Sequence, residues 1–499
     1  MLNPATLYKT STITTILQNI KSLNHLKQLH CIIITSPLNQ HDLTSHLLTF
    51  ASSKPNTLDY AYTIFLNLKN PTTFNYNTII RAFAKTKNPN QSIKLFKKML
   101  SFGLVPDYLT YPFVLKAASR LSEVRVGFSV HGRVVKDGLE CDRFVRNGLI
   151  HIGGCFREVK YARKVFDEMF DNKNLVSWNS MLDCYVKCRE VELAREVFGV
   201  MPEKDVVSWS CMVDGCVKCG EYSEALEVFR EMCGKGVEAN EVTMVSVLGA
   251  CAHLGALEQG VLMHRYIVEK RIGFTLVLRT SLVDMYAKCG AIDDALVVFR
   301  EACKKGTDVL IWNAMIGGLA THGFFRESLD MFTEMQNTGI TPDEITYLCI
   351  LSACAHGGLV KEAWFYFNSL AKHNMYPKTE HYACMIDVLA RSGQLTQAYK
   401  FLSDMPMEPT ASMLGALFNG CINHRNLDLA EVVGKKLVEL EPDHDGRYVG
   451  LSNVYAVIRR WDEARAMRET MEKRGVKKSP GWSFVEILGL THRFRNVAT

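Results

Sequence analysis

Four short segments of this chain are near-copies of one another: Tyr76-Asn77, Trp178-Asn179, Trp209-Ser210 and Trp312-Asn313 each open a unit in which the same landmarks return. After the opening dipeptide come a small residue, an apolar-Phe pair and a Met, as in Ala162, Val165, Phe166 and Met169, or Ala194, Val197, Phe198 and Met201. Trp178 and Trp209 stand 31 residues apart. A period of that size implies a stacked-helix solenoid, because a single unit cannot bury its own apolar face and must cover it with the next one. Alignment on these dipeptides places starts near residues 10, 41, 73, 108, 143, 175, 206, 241, 276, 309, 344 and 379, about a dozen repeats of 31 to 35 residues. The spacing of 102 residues from Asn77 to Asn179 and 103 from Ser210 to Asn313 adds a higher-order triplet of unequal repeats.

Within a repeat the apolar positions follow the helical period in two stretches separated by a turn. In the repeat from 175, Met181, Leu182 and Tyr185 form one stripe, and Leu193, Ala194, Val197, Phe198 and Met201 the other. Cys219-Gly220 and Cys289-Gly290 are placed to end first helices, while Pro106-Asp107 and Pro342-Asp343 separate one repeat from the next. The predicted fold is all-α, a right-handed superhelical solenoid of stacked helix-turn-helix repeats. Recurrence of Phe and Met at helical spacing in every repeat is what packing between helices demands, so these residues are expected in the core and not on a ligand-stacking ladder.

Hydrophobic residues make up 47% of the chain, enough for a long interior, and no apolar run approaches the roughly 20 residues of a membrane span. The protein is therefore expected to be soluble. Its sixteen cysteines recur at repeat positions, as in Lys218-Cys219-Gly220 and Lys288-Cys289-Gly290, which fits small buried thiols better than a disulfide framework. The net charge of +6 is uneven: residues 1–41 hold Lys9, Lys21 and Lys27 and no acid, and residues 445–499 hold eleven Lys or Arg against six Asp or Glu. The long middle is thus slightly acidic. A protein that merely coats phosphates would be basic throughout, so any nucleic-acid binding here should depend on base contacts. The acid-free, Thr/Ser/Asn-rich start has the composition of an organelle transit peptide, with residues 1–9 as the segment ahead of the repeats; a polar first repeat that happens to lack acids explains it equally well.

Chemistry-bearing motifs are sparse. Cys216-Val217-Lys218-Cys219 has zinc-ligand spacing but no upstream His-x-Glu partner and lies inside a repeat helix, so no metal is expected there. His131, His264 and His356 recur at related repeat positions, which marks them as parts of the repeat and not as general bases. No phosphate loop, nucleophile elbow or carboxylate pair is present, so neither an intrinsic enzyme activity nor a cofactor is expected.

Val206-Val207-Ser208-Trp209-Ser210, Asp284-Met285-Tyr286-Ala287-Lys288-Cys289-Gly290 and Ala353-Cys354-Ala355-His356-Gly357-Gly358 resemble signature segments of the plant pentatricopeptide repeat family, in its P-L-S subclass. Leu440-Glu441-Pro442, the run Tyr448 to Tyr455 and the run Arg474 to Gly481 resemble that family's E-type extension. The resemblance implies repeats over residues 10–410, an E-type extension of degenerate helical repeats over 411–481, and a short basic tail over 482–499, in which His492-Arg493-Phe494 matches a His-x-Phe of longer relatives. Members with this extension are typically C-to-U RNA editing factors of mitochondria and plastids, and the longest carry a zinc deaminase-like domain called DYW. Its motifs are lacking here. The resemblance then implies a mitochondrial, alternatively chloroplast, factor that binds single-stranded RNA and relies on a DYW-type deaminase or other editing factors in trans, unless a downstream domain belongs to a longer form of the chain. RNA binding without editing and a protein-interaction scaffold are the competing classes.

Family members read one base per repeat through two polar positions, one early in the first helix and one at the repeat's end. The residues at those positions are Asn77 with Asp107, Asn147 with Asn174, Asn179 with Asp205, Ser210 with Asn240, Thr280 with Asp308, and Asn313 with Asp343. By resemblance they imply uracil, a pyrimidine, uracil, adenine, guanine and uracil, giving 5′-U-N-Y-U-A-N-G-U-N-N-3′ with the edited cytidine beyond the last repeat. The early residue is expected to be exposed, and the Asp and Asn partners also suit helix capping. Pro112, Val245 and Leu348 offer a base no side-chain hydrogen bond, and Ala383 with Thr410 is uninformative.

Overall fold

The computed structural model describes residue 20 and residues 22–35, 40–170, 173–304, 306–478, 482–487 and 490–495. The expectations for a targeting segment and for the opening of the first repeat fall on residues 1–19 and lie outside the described residues. Among the described residues the chain forms 27 α-helices, a single 3₁₀ turn and a terminal two-stranded hairpin. First helices of successive repeats run Gln40–Ser52, Thr73–Ala84, Thr110–Leu121, Arg143–Cys155, Leu175–Cys188, Val206–Cys219, Glu241–Leu254, Leu276–Lys288, Val309–Thr321, Glu344–Gly357 and Thr379–Arg391. Two more, Ala411–Asn423 and Asp445–Val457, continue the pattern. Each is followed by a second helix, such as Val159–Asp167, Val191–Val200 or Ile292–Cys303.

These helices start where they do because of their caps. Asn174, Asp205, Asn240, Thr275, Asp308 and Asp343 each turn a side-chain oxygen onto backbone N–H groups of the first turn, which have no partner inside the helix. Each such cap contributes about 1 kcal/mol. The hairpin turn needs a left-handed residue after the first helix, and Gly220 supplies it at φ 85° without a side-chain penalty.

The chain comprises two compact bodies, residues 1–220 and 221–499. In the first, helix 143–155 packs between helices 110–121 and 175–188; in the second, helix 309–321 packs between 276–288 and 344–357. The opening aromatics explain the stacking. Phe166 meets Trp178 edge to face at 5.0 Å between ring centres, Phe198 meets Trp209 at 4.9 Å, and Phe299 meets Trp312 at 4.7 Å. The second-helix Phe of one repeat thus docks on the first-helix aromatic of the next, adding about 0.5–1.5 kcal/mol per pair beyond the area buried. Met169 and Met201 are buried beside them, as packing requires.

The E-type region continues as helical pairs up to Trp461–Lys473. Beyond it, Trp482–Ile487 pairs antiparallel with Leu490–Arg495, opposing Trp482 to Arg495 and Ile487 to Leu490. The hairpin lies within the stretch 482–499, for which the sequence predicts only a short basic tail. Among the described residues no helix is long and apolar enough to cross a membrane.

Candidate nucleic-acid interface

Three of the six sequence-derived pairs are joined by one repeated arrangement. Asn77 Nδ2 donates to Asp107 Oδ1 at 2.9 Å and lies 3.1 Å from its Oδ2. Asn179 Nδ2 donates to Asp205 Oδ1 at 3.1 Å, and Asn313 Nδ2 to Asp343 Oδ1 at 3.0 Å. A hydroxyl three residues after each Asp completes the lock. Thr110 Oγ1 reaches Asn77 Oδ1 at 2.6 Å, Ser208 Oγ reaches Asn179 Oδ1 at 2.7 Å and Thr346 Oγ1 reaches Asn313 Oδ1 at 2.6 Å. The same carboxylates accept the backbone N–H of Thr110, Ser208 and Thr346 at 2.9 Å. Capping and pairing are therefore done by the same Asp.

Burial works against the charge on Asp205 and Asp343. The hydrogen bonds from Ser208 and Asn179, and from Thr346 and Asn313, outweigh it and hold both carboxyls below their ordinary range. Each lock leaves the Asn amide rigid, with its oxygen facing the hydroxyl, one N–H given to the carboxylate and a second N–H in reserve. A donor held beside an anionic acceptor can meet a base edge that offers a carbonyl next to an N–H, which is what uracil presents.

The structure corrects the expected exposure of the early residues. Asn77 is 8% exposed, Asn313 7% and Ser210 6%, while Asn147, Asn179 and Thr280 are half-buried. Neighbouring first helices approach too closely for a short side chain to project freely, so only the tips are available. The remaining pairs are not joined alike. Thr280 Oγ1 donates to the Leu276 carbonyl at 2.9 Å, and Asp308 caps its helix through Leu310 and Ile311, with no hydrogen bond between Thr280 and Asp308 among the described residues. Asn174 is engaged with Ser177 as a capping box, and Asn147 Oδ1 is buried without a hydrogen-bond partner. Ser210 and Asn240 belong to different bodies; Ser210 Oγ donates to the Val206 carbonyl at 2.6 Å, and Asn240 caps helix 241–254.

Two rows of residues escaped the sequence analysis. Three residues before the early position of eight repeats stands an exposed apolar side chain: Phe74, Phe144, Val176, Val207, Val242, Val277, Leu310 and Ile345, from 51% exposed at Val207 to 59% at Val242. Residues three apart on a helix are neighbours, so each lies beside the corresponding reading position. Apolar exposure thus recurs at one place in eight of the repeats. Its signal was legible as an apolar residue second in each first helix, off the buried stripe. The other row lies eight residues after the early position, on the same helical face: Lys85, Lys187, Lys218 and Lys288. Lys187, Lys218 and Lys288 pair with Asp183, Asp214 and Asp284 one turn earlier, at 2.6, 2.6 and 2.8 Å.

The histidines take structural partners. His131 Nδ1 lies 3.1 Å from the Tyr161 hydroxyl and His264 Nδ1 2.9 Å from that of Tyr286. Cys216 is buried within helix 206–219, and among the described residues no group of three or more His, Cys, Asp or Glu is placed to hold a metal ion.

Comparison with known proteins matches this architecture. A PPR repeat family model matches residues 71–120, 204–253 and 307–356, and a second PPR repeat model matches 176–206, 277–307, 345–375 and 380–408. An E motif model matches residues 424–486. A pentatricopeptide repeat-containing protein of Arabidopsis thaliana is 56% identical over 477 residues, covering 95% of this chain and 89% of its own length. Two other Arabidopsis relatives, one named mitochondrial and one chloroplastic, are 33% and 38% identical over 96% and 95% of this chain and 86% and 85% of their own. The maize pentatricopeptide repeat protein PPR10, solved in complex with an 18-nt RNA element, shares the fold with a TM-score of 0.64 at 22% identity, over 93% of this chain and 69% of its own. With its repeats, its E motif and a relative of that identity over nearly the whole length, this chain belongs to the pentatricopeptide repeat family.

Proposed function

We propose that this chain binds single-stranded RNA along the faces of its first helices and acts as the site-recognition factor for C-to-U editing of an organellar transcript, with a DYW-type deaminase supplied in trans. The observation that carries the reading is the triple recurrence of the Asn–Asp–hydroxyl lock at Asn77, Asn179 and Asn313. A helix cap needs only the Asp and the backbone; the Asn adds a rigid donor that no capping requirement explains. At Thr280 the hydroxyl proton is spent on the Leu276 carbonyl, which leaves its oxygen as an acceptor, and the Asp308 carboxylate caps the next first helix as a second acceptor. Two acceptors suit a base that offers N–H groups, as guanine does.

The two flanking rows fit the same ligand. Exposed side chains such as Val176 and Val207 can wedge against base faces, and the Lys row can trade its weak exposed ion pairs for phosphate oxygens. The E motif match over residues 424–486 supports the editing assignment, since the resemblance ties that extension to editing. The repeats choose the site; the deaminase in trans changes it. The names of the mitochondrial and chloroplastic relatives support an organelle, and we assign the mitochondrion, with the chloroplast as alternative.

Transcript sequencing in a null mutant tests the role directly. At least one organellar C-to-U event should disappear, preceded by a sequence compatible with U-N-Y-U-A-N-G-U; intact editing with altered transcript abundance or splicing would replace this reading by RNA processing without editing. At the level of one repeat, Thr280→Asn restores the Asn–Asp pair seen elsewhere, because Asp308 is already in place. That repeat should shift from guanine toward uracil by about tenfold, a typical discrimination for one hydrogen-bonded base edge. Unchanged preference in a binding assay with the two RNAs would refute the assignment.

A further inference from the structure

Eight residues after Asn147, at the place of Lys187 and Lys218, stands Cys155. Its Sγ lies 3.6 Å from His151 Nε2 one turn earlier, and Lys187 Nζ on the neighbouring first helix lies 3.7 Å from it. Behind the imidazole, Asp183 Oδ2 is 3.6 Å from His151 Nδ1 and 2.6 Å from Lys187 Nζ. Lys187 Nζ itself sits 3.5 Å from His151 Nδ1. The sulfur thus faces an imidazole nitrogen that can donate to a thiolate, with a carboxylate behind the ring to hold it as imidazolium and an ammonium beside the sulfur.

We propose that Cys155 is a thiol–disulfide exchange site that takes a low-molecular-weight disulfide such as oxidised glutathione. The Cys155 thiol gives its proton to solvent beside the His151 imidazolium, and the thiolate sulfur forms a bond to one sulfur of the disulfide. The original S–S bond breaks and the other half leaves as a thiolate. Cys155 is oxidised, the leaving half is reduced, and no further oxidant enters.

Electrostatics agree with the geometry. Burial disfavours the Cys155 thiolate, but the hydrogen bond and charge of His151 and the charge of Lys187 outweigh it and lower the thiol below its ordinary value. His151 is raised to about 9, first by its hydrogen bond to Asp183 and next by that to Cys155, so it is cationic at neutral pH. By contrast, burial pushes Cys211, Cys354 and Cys384 up to about 12. A glutathionyl group on Cys155 would occupy the helical face that carries Asn147 and draw on Lys187 of the next repeat, and so hinder RNA there; this consequence rests on the RNA-binding reading, whereas the exchange does not.

The test uses the reduced full chain incubated with oxidised glutathione at neutral pH, with labelled peptides followed over time by mass spectrometry. Cys155 should label about tenfold faster than Cys31, Cys141 and Cys233, which are all more exposed. Equal or faster labelling of those three overturns the proposal within a single wild-type sample. Lys187→Met and His151→Gln should each slow Cys155 about tenfold with unchanged circular dichroism; an unchanged rate in both also overturns it. For the consequence, glutathionylated chain should bind its RNA about tenfold more weakly and recover with dithiothreitol, and Cys155→Ser should ignore oxidised glutathione. Full modification with unchanged affinity overturns the coupling alone. Failure of the reduced chain to bind any RNA overturns the RNA reading and leaves the exchange site to the peptide map.

Discussion

Protein carrying Asn77→Ala, Asn179→Ala and Asn313→Ala together is expected to bind an RNA with uracil at the three matching positions on the order of a hundredfold more weakly than the unaltered chain. Each substitution removes a rigid N–H donor worth about 1 kcal/mol net at a base edge. The three sites lie on different helices with separate partners, so their effects should add, to about 3 kcal/mol. The Asp107, Asp205 and Asp343 caps remain, because their bonds to the backbone N–H of Thr110, Ser208 and Thr346 do not involve the Asn. The helices should therefore still form. Fluorescence anisotropy with two RNAs decides the matter: replacing the three uracils by cytosines should weaken binding to the unaltered chain and make little difference to the triple variant. If both RNAs lose affinity equally, the asparagines support the fold and do not read bases.

Gly420→Val is expected to separate two repeats without touching any reading position. A Cβ at Gly420 would stand 2.7 Å from Ala390 Cβ and 2.9 Å from the Ala390 carbonyl oxygen, and backbone cannot swing aside as a side chain can. Helices Thr379–Arg391 and Ala411–Asn423 must move apart, at a cost of about 3 kcal/mol from overpacking. In a repeat array stability is largely a sum of nearest-neighbour terms, so the damage should be local. Amide exchange in helix 411–423 should accelerate about a hundredfold, with helices 73–84 and 110–121 unaffected. Gly199→Ala is the counterpart: nothing lies within 4 Å of its Cβ, and an exposed helical alanine should stabilise by about 0.5–1 kcal/mol. Equal exchange in the two variants would show that the contact at Gly420 relaxes without cost.

Much of the repeat was legible because its determinants are short-range. The first helices begin at Thr73, Arg143, Leu175, Val206, Glu241, Leu276, Val309, Glu344 and Thr379, the residues that alignment on the aromatic dipeptides indicates, since a cap and a 3.6-residue stripe act within one or two turns. The packing role of Phe166, Phe198, Met169 and Met201 was legible for the same reason: only a core position recurs at that spacing in every repeat. The lock was half legible. Asn and Asp stand out, but the need for Thr110, Ser208 or Thr346 three residues after the Asp appears only when that hydroxyl is seen to bridge them. Asp308 has Ile311 at that place and no such bridge.

The helical hairpin, its period and its caps are written in the sequence, because each depends on residues a few positions apart. The tertiary structure decided which polar groups meet. Asn77 with Asp107, and His151 and Cys155 with Asp183 and Lys187, are some thirty residues apart and come within hydrogen-bond or ion-pair reach only at the distance to which small residues let neighbouring first helices close. That distance also buried the side chains predicted to be exposed, and it left Val176 and Val207 outside. Helical periodicity names the face on which a residue lies; packing sets how far apart two faces stand, and hydrogen bonds and ion pairs are decided by that separation.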